Sequence, residues 1–189
     1  SITNALMGLL VKDGLLKIEA PAPVAEWKAD ERANITINNL LQASSGLAWS
    51  ETYFNPYKDF HQMFIYSDDK GAYAASRPLA HQPNTHFQYS SASTNILSRL
   101  MRQQLGDTLY HRYPYERLFY KTGMFNTLIE PDASGTFVGS SYSFATARDW
   151  ARFGLLYLND GVWNGERILP EGWIQYTTTP ATTADMGQY

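Results

Sequence analysis

The sequence has no cysteine, few charged residues and no long apolar run, and each absence excludes a class of function. Without cysteine the chain has neither disulfides nor thiolate chemistry. No stretch approaches the roughly 18 consecutive apolar residues of a membrane-spanning helix. The net charge of -3 leaves no basic stripe, and the longest positive cluster, at 112–117, is interrupted by aromatic residues. Nucleic acid is therefore not an expected partner, and the chain carries no membrane segment.

The usual signatures of metal and nucleotide sites are also missing. The histidines show no metal-ligand spacing with one another or with carboxylates; they are His61, His81, His86 and His111. There is no G-x-x-x-x-G-K-[ST] loop and no G-x-G-x-x-G. Neither a metal nor an organic cofactor is predicted. Because G-x-S-x-G is absent as well, an α/β-hydrolase with a nucleophile elbow is disfavoured.

The chain does contain enough apolar material for one folded domain. Its 189 residues are 44% hydrophobic and 17% charged, whereas an ordinary soluble domain has about 25% charged residues. Aromatic residues reach 14% and include 13 Tyr and 5 Trp. Such side chains suit a core, and they also suit the wall of a binding cleft, because Tyr and Trp combine a large apolar body with a polar tip.

Apolar residues recur at helical spacing along most of the chain. Helices are predicted at 2–12, 24–27, 37–43, 59–66, 69–75, 92–104, 109–120 and 147–159. Thr36 is placed to cap the third of these, and the T-A-R-D run from Thr146 has the spacing of a capping box. Residues 128–143 are β-like and rich in turns. The chain is therefore predicted to be mostly helical, with β-structure in short pieces.

Two glycine turns and a proline organise the C-terminal part. Asp160-Gly161 and Asn164-Gly165 bracket a predicted hairpin. Pro170 is suited to the first position of a last short helix.

Three separated motifs carry a specific resemblance. Residues 85–97 read T-H-F-Q-Y-S-S-A-S-T-N-I-L, residues 35–47 read I-T-I-N-N-L-L-Q-A-S-S-G-L, and residues 144–154 read F-A-T-A-R-D-W-A-R-F-G. The first resembles the Tyr-x-Asn segment of the penicillin-recognising superfamily, the second its Ser-Gly-Leu stretch and the third its A-T-A-R-D helix. The similarity is to its branch of class C β-lactamases, esterases, peptidases and nylon-oligomer hydrolases, and it covers nearly the whole chain.

The resemblance implies an α+β fold in which this chain is the mostly helical lobe. Residues 1–189 would form a single partial domain, truncated at both ends. The chain begins S-I-T, which matches the residues that follow the lysine of the family's Ser-x-x-Lys motif. That lysine would stand immediately before Ser1 and the nucleophilic serine three positions earlier, and the family's third motif would lie beyond Tyr189. The family also suggests a bacterial protein, periplasmic or exported.

Tyr89 is the catalytic residue that the resemblance assigns within the chain. In the family's mechanism this phenol relays the proton of the serine to the leaving group and later helps to activate water. A phenol with a pKa near 10 does this only beside an ammonium group, which the lysine would supply. Ser91 takes the motif's third position, where β-lactamases usually have Asn. A hydroxyl can donate one bond to lysine or substrate but lacks an amide's paired donor and acceptor, which favours esterase, peptidase or amidase activity over lactam hydrolysis.

Further candidates for substrate binding are Trp49, in the aromatic loop after the Ser-Gly-Leu turn, and Tyr142, in the β-like segment. Glu51 and Tyr53 follow Trp49 in the same loop. Packing or turn formation is the favoured explanation for each of these residues, and substrate binding is the alternative.

Two internal matches to the family's motifs are interpreted as coincidental. Ser67-Asp68-Asp69-Lys70 fits Ser-x-x-Lys, but a catalytic lysine must be partly desolvated, and the two aspartates are expected to keep Lys70 solvated and charged. Lys121-Thr122-Gly123 fits Lys-Thr-Gly but is expected to end a helix, not to line a strand.

The predicted function is hydrolysis of a small ester, amide or lactam through an acyl-serine intermediate. This activity would belong to a longer parent protein, and the present chain alone is expected to be inactive. The alternative is a helical binding domain that keeps the fold without the chemistry. The oligomeric state does not follow from the sequence.

Overall fold

The computed structural model describes residues 1–183. Helices supply most of its regular structure. The α-helices are α1 (Ile2–Lys12), α2 (Ile37–Leu41), α3 (Asp59–Tyr66), α4 (Lys70–Ala75), α5 (Ser91–Leu105), α6 (Asp107–Pro114), α7 (Tyr120–Thr122), α8 (Ala147–Leu158) and α9 (Trp173–Thr178). Two 3₁₀ turns lie at Ala25–Trp27 and Glu31–Asn34, and a π-helical turn, Tyr115–Phe119, joins α6 to α7.

The strands form two small antiparallel pairs. Strand β1 (Leu128–Ile129) pairs with β2 (Ser143–Phe144), and β3 (Val162–Trp163) pairs with β4 (Glu166–Arg167). The predicted hairpin is confirmed, and its turn is Asn164-Gly165. Both turn residues have positive φ, at 48° and 80°, which is the conformation that Asn-Gly adopts readily in a tight hairpin.

Helix α5 is the central element of the core. Its buried apolar stripe consists of Ile96, Leu97, Leu100 and Met101, spaced as one face of a helix. Helices α1, α2, α4 and α6 all pack against it. Because α5 is surrounded in this way, its N-terminal end is held at a defined place relative to the start of α1 and the loop before β2.

The helix caps follow the sequence with one exception. Thr36 caps α2 in a complete capping box with Asn39, each side chain bonded to the other residue's backbone. Thr146 caps α8 by accepting from the backbone N–H of Asp149. The side chain of Asp149 does not complete a box, because it accepts instead from the N–H of Asn126 and from Arg152.

Two predicted helices differ from the structure at a proline. The helix predicted at 109–120 begins at Asp107 and changes to a π-helical turn after Pro114, since proline lacks the N–H that an α-helical bond would need. Pro170 does not start the last helix. Its carbonyl accepts from the N–H of Trp173 in a turn, and α9 begins only at Trp173.

Candidate functional site

The segment that carries Tyr89 runs in extended form into α5. Ser90 is the N-cap of α5, with its hydroxyl accepting from the backbone N–H of Ser93 at 3.3 Å. Tyr89 is 50% exposed. The predicted catalytic phenol therefore lies at the surface, one residue before a capped helix that begins in the core.

The turn after α2 positions this segment by direct backbone contact. The carbonyl of Gly46 accepts from the N–H of His81 at 3.0 Å, and the carbonyl of Ala43 accepts from the N–H of Gln88 at 2.8 Å. Gly46 has a φ of 77°, and a Cβ there would collide with the carbonyl oxygen of His81. Only glycine permits such an approach, so the Ser-Gly-Leu motif is explained by its contact with the chain that leads to Tyr89.

A carboxylate anchors the start of α5. Oε2 of Glu51 accepts from the backbone N–H of Ser91 at 2.9 Å, and Oε1 accepts from the Ser91 hydroxyl at 2.5 Å. The indole N–H of Trp49 also donates to Oε2, and the hydroxyl of Tyr53 donates to Oε1 at 3.3 Å. A negative charge at the N-terminal end of a helix is favoured by the helix dipole.

Ser91 and Trp49 are both tied to Glu51, and both are nearly buried. Ser91 is 8% and Trp49 7% exposed. The carbonyl of Trp49 in turn accepts from the side-chain amide of Gln88. Trp49 thus stabilises the segment before Tyr89. Ser91 follows Tyr89 by two residues in the chain.

A buried asparagine joins α5 to the loop before β2. The amide nitrogen of Asn95 donates to the carbonyl of Ser91 and to the hydroxyl of Ser140, each at 2.9 Å, and its oxygen accepts from the N–H of Gly139 at 3.1 Å. The hydroxyl of Thr3 donates to the carbonyl of Gly139 at 2.6 Å. The first turn of α1, the first turns of α5 and the 139–142 loop therefore meet at one place.

Tyr142 ends that loop in a constrained conformation. Its φ is 56°, which costs energy for a residue other than glycine. Its ring meets the ring of Phe64 edge-on at 5.8 Å, and rings of Phe60 and Tyr53 continue the row with centroid separations of 4.5 and 4.7 Å. This aromatic row runs from the loop before β2 to the partner of Glu51.

A cavity of about 410 Å³ opens beside the start of α1. Its lining includes Ser1, the N-cap of α1, together with Thr3 of α1, Thr94 and Leu97 of α5 and Tyr157 of α8. The N-terminal end of α1 therefore borders α5 about one turn from Ser91.

The match at Ser67 has a different geometry from that of a nucleophile motif. Ser67 ends α3 and Lys70 begins α4, so the two are not on one helix. The hydroxyl of Ser67 donates to the carbonyl of Asp69, and Nζ of Lys70 donates to the carbonyl of Ser67. The expectation that Lys70 is solvated was wrong: it is buried, because α4 packs against α5.

The match at Lys121 ends a helix, as predicted. Gly123 follows α7 with a φ of 76°. Nζ of Lys121 pairs with Glu166 at 2.6 Å, and Thr122 is buried.

Sequence analysis assigned no role to Asn95, although this residue lies within the motif at 85–97. The signal available was a polar amide on the buried stripe of α5, four residues after Ser91, where a side chain can reach back to the preceding turn.

Within residues 1–183 no group of three or more His, Cys, Asp or Glu residues is arranged to hold a metal ion. The same part of the chain contains no helix long and apolar enough to cross a membrane.

Comparison with known families assigns the fold. A family model described as Beta-lactamase matches residues 1–188. The chain belongs to the β-lactamase family. Its predicted fold, the mostly helical lobe of the β-lactamase-like architecture, is confirmed by solved structures that share it.

Relatives with hydrolase names lie within this family. The chain is 23% identical over 199 residues to a 6-aminohexanoate-dimer hydrolase of Paenarthrobacter ureafaciens, covering 93% of this chain and 47% of that protein. A solved structure from Bacillus anthracis, described as a candidate 6-aminohexanoate-dimer hydrolase, superposes with a TM-score of 0.78 at 24% identity over 93% of this chain and 50% of its own.

A D-stereospecific amidohydrolase of a Streptomyces species has the same fold at 16% identity, with a TM-score of 0.70 over 97% of this chain and 64% of its own. The chain spans about half the length of the 6-aminohexanoate-dimer hydrolases that it matches.

Proposed function

We propose that this chain is the central part of a serine hydrolase of the β-lactamase family, which cleaves a small amide, ester or lactam through an acyl-serine intermediate. The main support is the placement of Tyr89, half-exposed at the capped start of α5. A tyrosine that serves packing is usually buried, whereas Tyr89 lies at the surface. The segment that carries Tyr89 is held in place by Gly46 and Glu51. A fixed, accessible phenol is what proton relay requires.

The domain assignment is part of the same proposal. Residues 1–189 would be a single partial domain, with the Ser-x-x-Lys motif directly before Ser1. The geometry at the start of α1 supports this, because Ser1 and Thr94 line the same cavity and Thr3 bonds to the loop that Asn95 holds. A helix continuing backwards from α1 would carry its side chains along the first turns of α5.

Each predicted site residue has a role in this scheme. Tyr89 would pass the proton of the serine to the leaving group and then assist the attack of water. Ser91 would bind a polar group of the lysine or the substrate. Tyr142 would form a wall of the cleft together with the aromatic row, and Trp49 would act through its bonds to Glu51 and Gln88.

Amides are the favoured substrate class. Residue 91 is Ser where the β-lactamases proper usually have Asn, and the relatives named above are described as 6-aminohexanoate-dimer hydrolases and a D-stereospecific amidohydrolase. No metal or organic cofactor is needed for this reaction.

Covalent labelling tests the proposal. The full-length protein is treated with a fluorophosphonate, and the modified peptide is identified by mass spectrometry. We expect one labelled serine, three residues before the lysine that precedes Ser1. Labelling at Ser67 would contradict the assignment, and a protein that neither labels nor turns over amides and esters would contradict the function.

A further inference from the structure

The bonding of Glu51 leaves it no capacity to contact a ligand. A carboxylate offers about four acceptor positions, and four donors occupy them: the indole of Trp49, the backbone and hydroxyl of Ser91, and the hydroxyl of Tyr53. None of the ion pairs within residues 1–183 involves Glu51. Glu51 is therefore suited neither to proton abstraction from substrate nor to binding it, and its effect must pass through the groups that it holds.

The direction of the bond between Ser91 and Glu51 follows from counting protons. The indole N–H of Trp49 and the backbone N–H of Ser91 can only donate, and both point at Oε2, so that oxygen carries no proton. The other contact, from the Ser91 hydroxyl to Oε1, is 2.5 Å long, the length of a hydroxyl donating to a charged carboxylate. The single hydroxyl proton of Ser91 is thus committed to Glu51.

We propose that Glu51 is a positioning residue that makes Ser91 a hydrogen-bond acceptor in the active site. With its proton on Glu51, the Ser91 oxygen has only lone pairs to offer. Its partner must then be a donor, and the N–H of an amide substrate and an ammonium group of the enzyme are the donor-only groups that the proposed reaction supplies. This rests on the proposed function and reverses the donor role that the sequence suggested for Ser91.

Replacing Glu51 by Gln reverses this bond with little change of shape. The two N–H donors at the Oε2 position require an oxygen there, so the amide NH₂ of Gln must take the Oε1 position. That NH₂ would donate to the Ser91 oxygen. The Ser91 proton would then turn towards the cleft, where it would meet a nitrogen donor with its own proton.

The test compares Glu51→Gln with the wild-type full-length protein on a p-nitroanilide and a p-nitrophenyl ester of the same acyl group, over a range of pH. If the partner is the substrate N–H, kcat/KM for the anilide falls about tenfold or more while the ester changes little. If the partner is an enzyme ammonium, both substrates lose activity and the pH profile shifts. Either result supports the proposal and identifies the source of the donor.

A mutant cycle separates positioning from general damage. If Glu51 acts through Ser91, adding Glu51→Gln to Ser91→Ala causes little further loss. Glu116→Gln is the matched control, because Glu116 is bonded to Arg112 on the surface of the helical region, away from the site; we expect wild-type activity. Should Glu51→Gln not fold, Ser91→Thr, which keeps the hydroxyl, is expected to retain the amide activity that Ser91→Ala loses.

Two results would overturn the proposal. One is unchanged activity on both substrates with an unchanged pH profile in folded Glu51→Gln. The other is an additive loss in the cycle, equal for both substrates and without a pH shift. Failure of the proposed function is seen separately, since wild type would then hydrolyse neither substrate.

Discussion

Helix α5 carries two serines two turns apart that share a face and differ in what surrounds them. Ser91, at the first position and 8% exposed, bonds to the Glu51 carboxylate. Ser98 is fully buried; its hydroxyl donates to the carbonyl of Phe137 at 2.7 Å and contacts the hydroxyl of Tyr110 at 2.8 Å. The N–H of Phe137 completes a closed ring by donating to Tyr110. The hydroxyls of Ser98 and Tyr110 and the backbone of Phe137 satisfy one another within the core, whereas Ser91 is the residue for which we propose an acceptor role towards a ligand.

The two tyrosines beside these serines differ in the same way. Tyr89 is half-exposed at the site, while Tyr110 is completely buried. Residue type and helical position alone would not distinguish them. Tyr110 is held in the core by its bonds to Ser98 and Phe137, whereas Tyr89 is the proposed catalytic phenol, and four substitutions test this distinction.

Tyr89→Phe should have the largest effect, a loss of about 10³-fold in turnover of an activated ester by the full-length protein, as expected for removal of a general acid–base group. Stability should hardly change, because the ring remains. Tyr120→Phe is the control, since Tyr120 is similarly exposed and lies after the π-helical turn. Full activity in Tyr89→Phe would remove Tyr89 from the mechanism.

Asn95→Ala should lower the free energy of unfolding by about 2 to 3 kcal/mol, because it leaves the N–H of Gly139 and the carbonyl of Ser91 without their partner in a buried site. Urea denaturation measures the change. Asn126→Ala, on an exposed residue, should change stability by less than about 0.5 kcal/mol. Equal stabilities of the two variants would show that the Asn95 contacts do not hold the site.

Tyr110→Phe should cost about 1 to 2 kcal/mol of stability at neutral pH, since the N–H of Phe137 loses its acceptor. Activity should remain, in contrast to Tyr89→Phe. Urea unfolding and ester turnover of the same preparation provide both measurements.

The same variant should also change how stability depends on pH. Burial raises the pKa of Tyr110 to about 12, above the value near 10 of an unfolded chain. The raised pKa favours the neutral phenol in the folded state, so its contribution is complete below about pH 10 and declines between about pH 10 and 12. Tyr110→Phe should therefore lose less stability than wild type between about pH 10 and 12. An identical decline would contradict the assignment.

Ser67→Ala should have the smallest effect, less than about twofold on turnover. Its hydroxyl serves only a local bond to the carbonyl of Asp69, and such bonds contribute about 1 kcal/mol or less to stability. Ester hydrolysis and fluorophosphonate labelling check this. A large loss of activity would make the Ser67 motif functional after all.

Sequence patterns predicted most helices because apolar spacing and caps are local properties. Thr36, Asn164 and Gly123 marked real boundaries. Predictions from sequence patterns failed where tertiary packing overrides local preference. Lys70 is buried although two aspartates precede it, because α4 must approach α5 closely, and Gly71 there leaves no room for a Cβ beside Arg99.

The family motifs predicted candidate site segments but not how these segments are joined. The bonds from Glu51 to Ser91 and from Asn95 to Gly139 link residues 40 and 44 positions apart in the chain. No local pattern contains such pairs. The site assignments of Tyr89, Ser91, Tyr142 and Trp49 remain predictions.

The bridge between Leu47 and Leu79 closes a long loop at its base. The Gly46 contacts lie just outside that base, on the side of Tyr89. The exposed tip at 53–57 can therefore be lengthened at an entropic cost that grows slowly with loop length, without changing the distance from the turn to the phenol. Insertions at this tip would therefore change the aromatic rim while the turn at Gly46 keeps its contact with the segment before Tyr89.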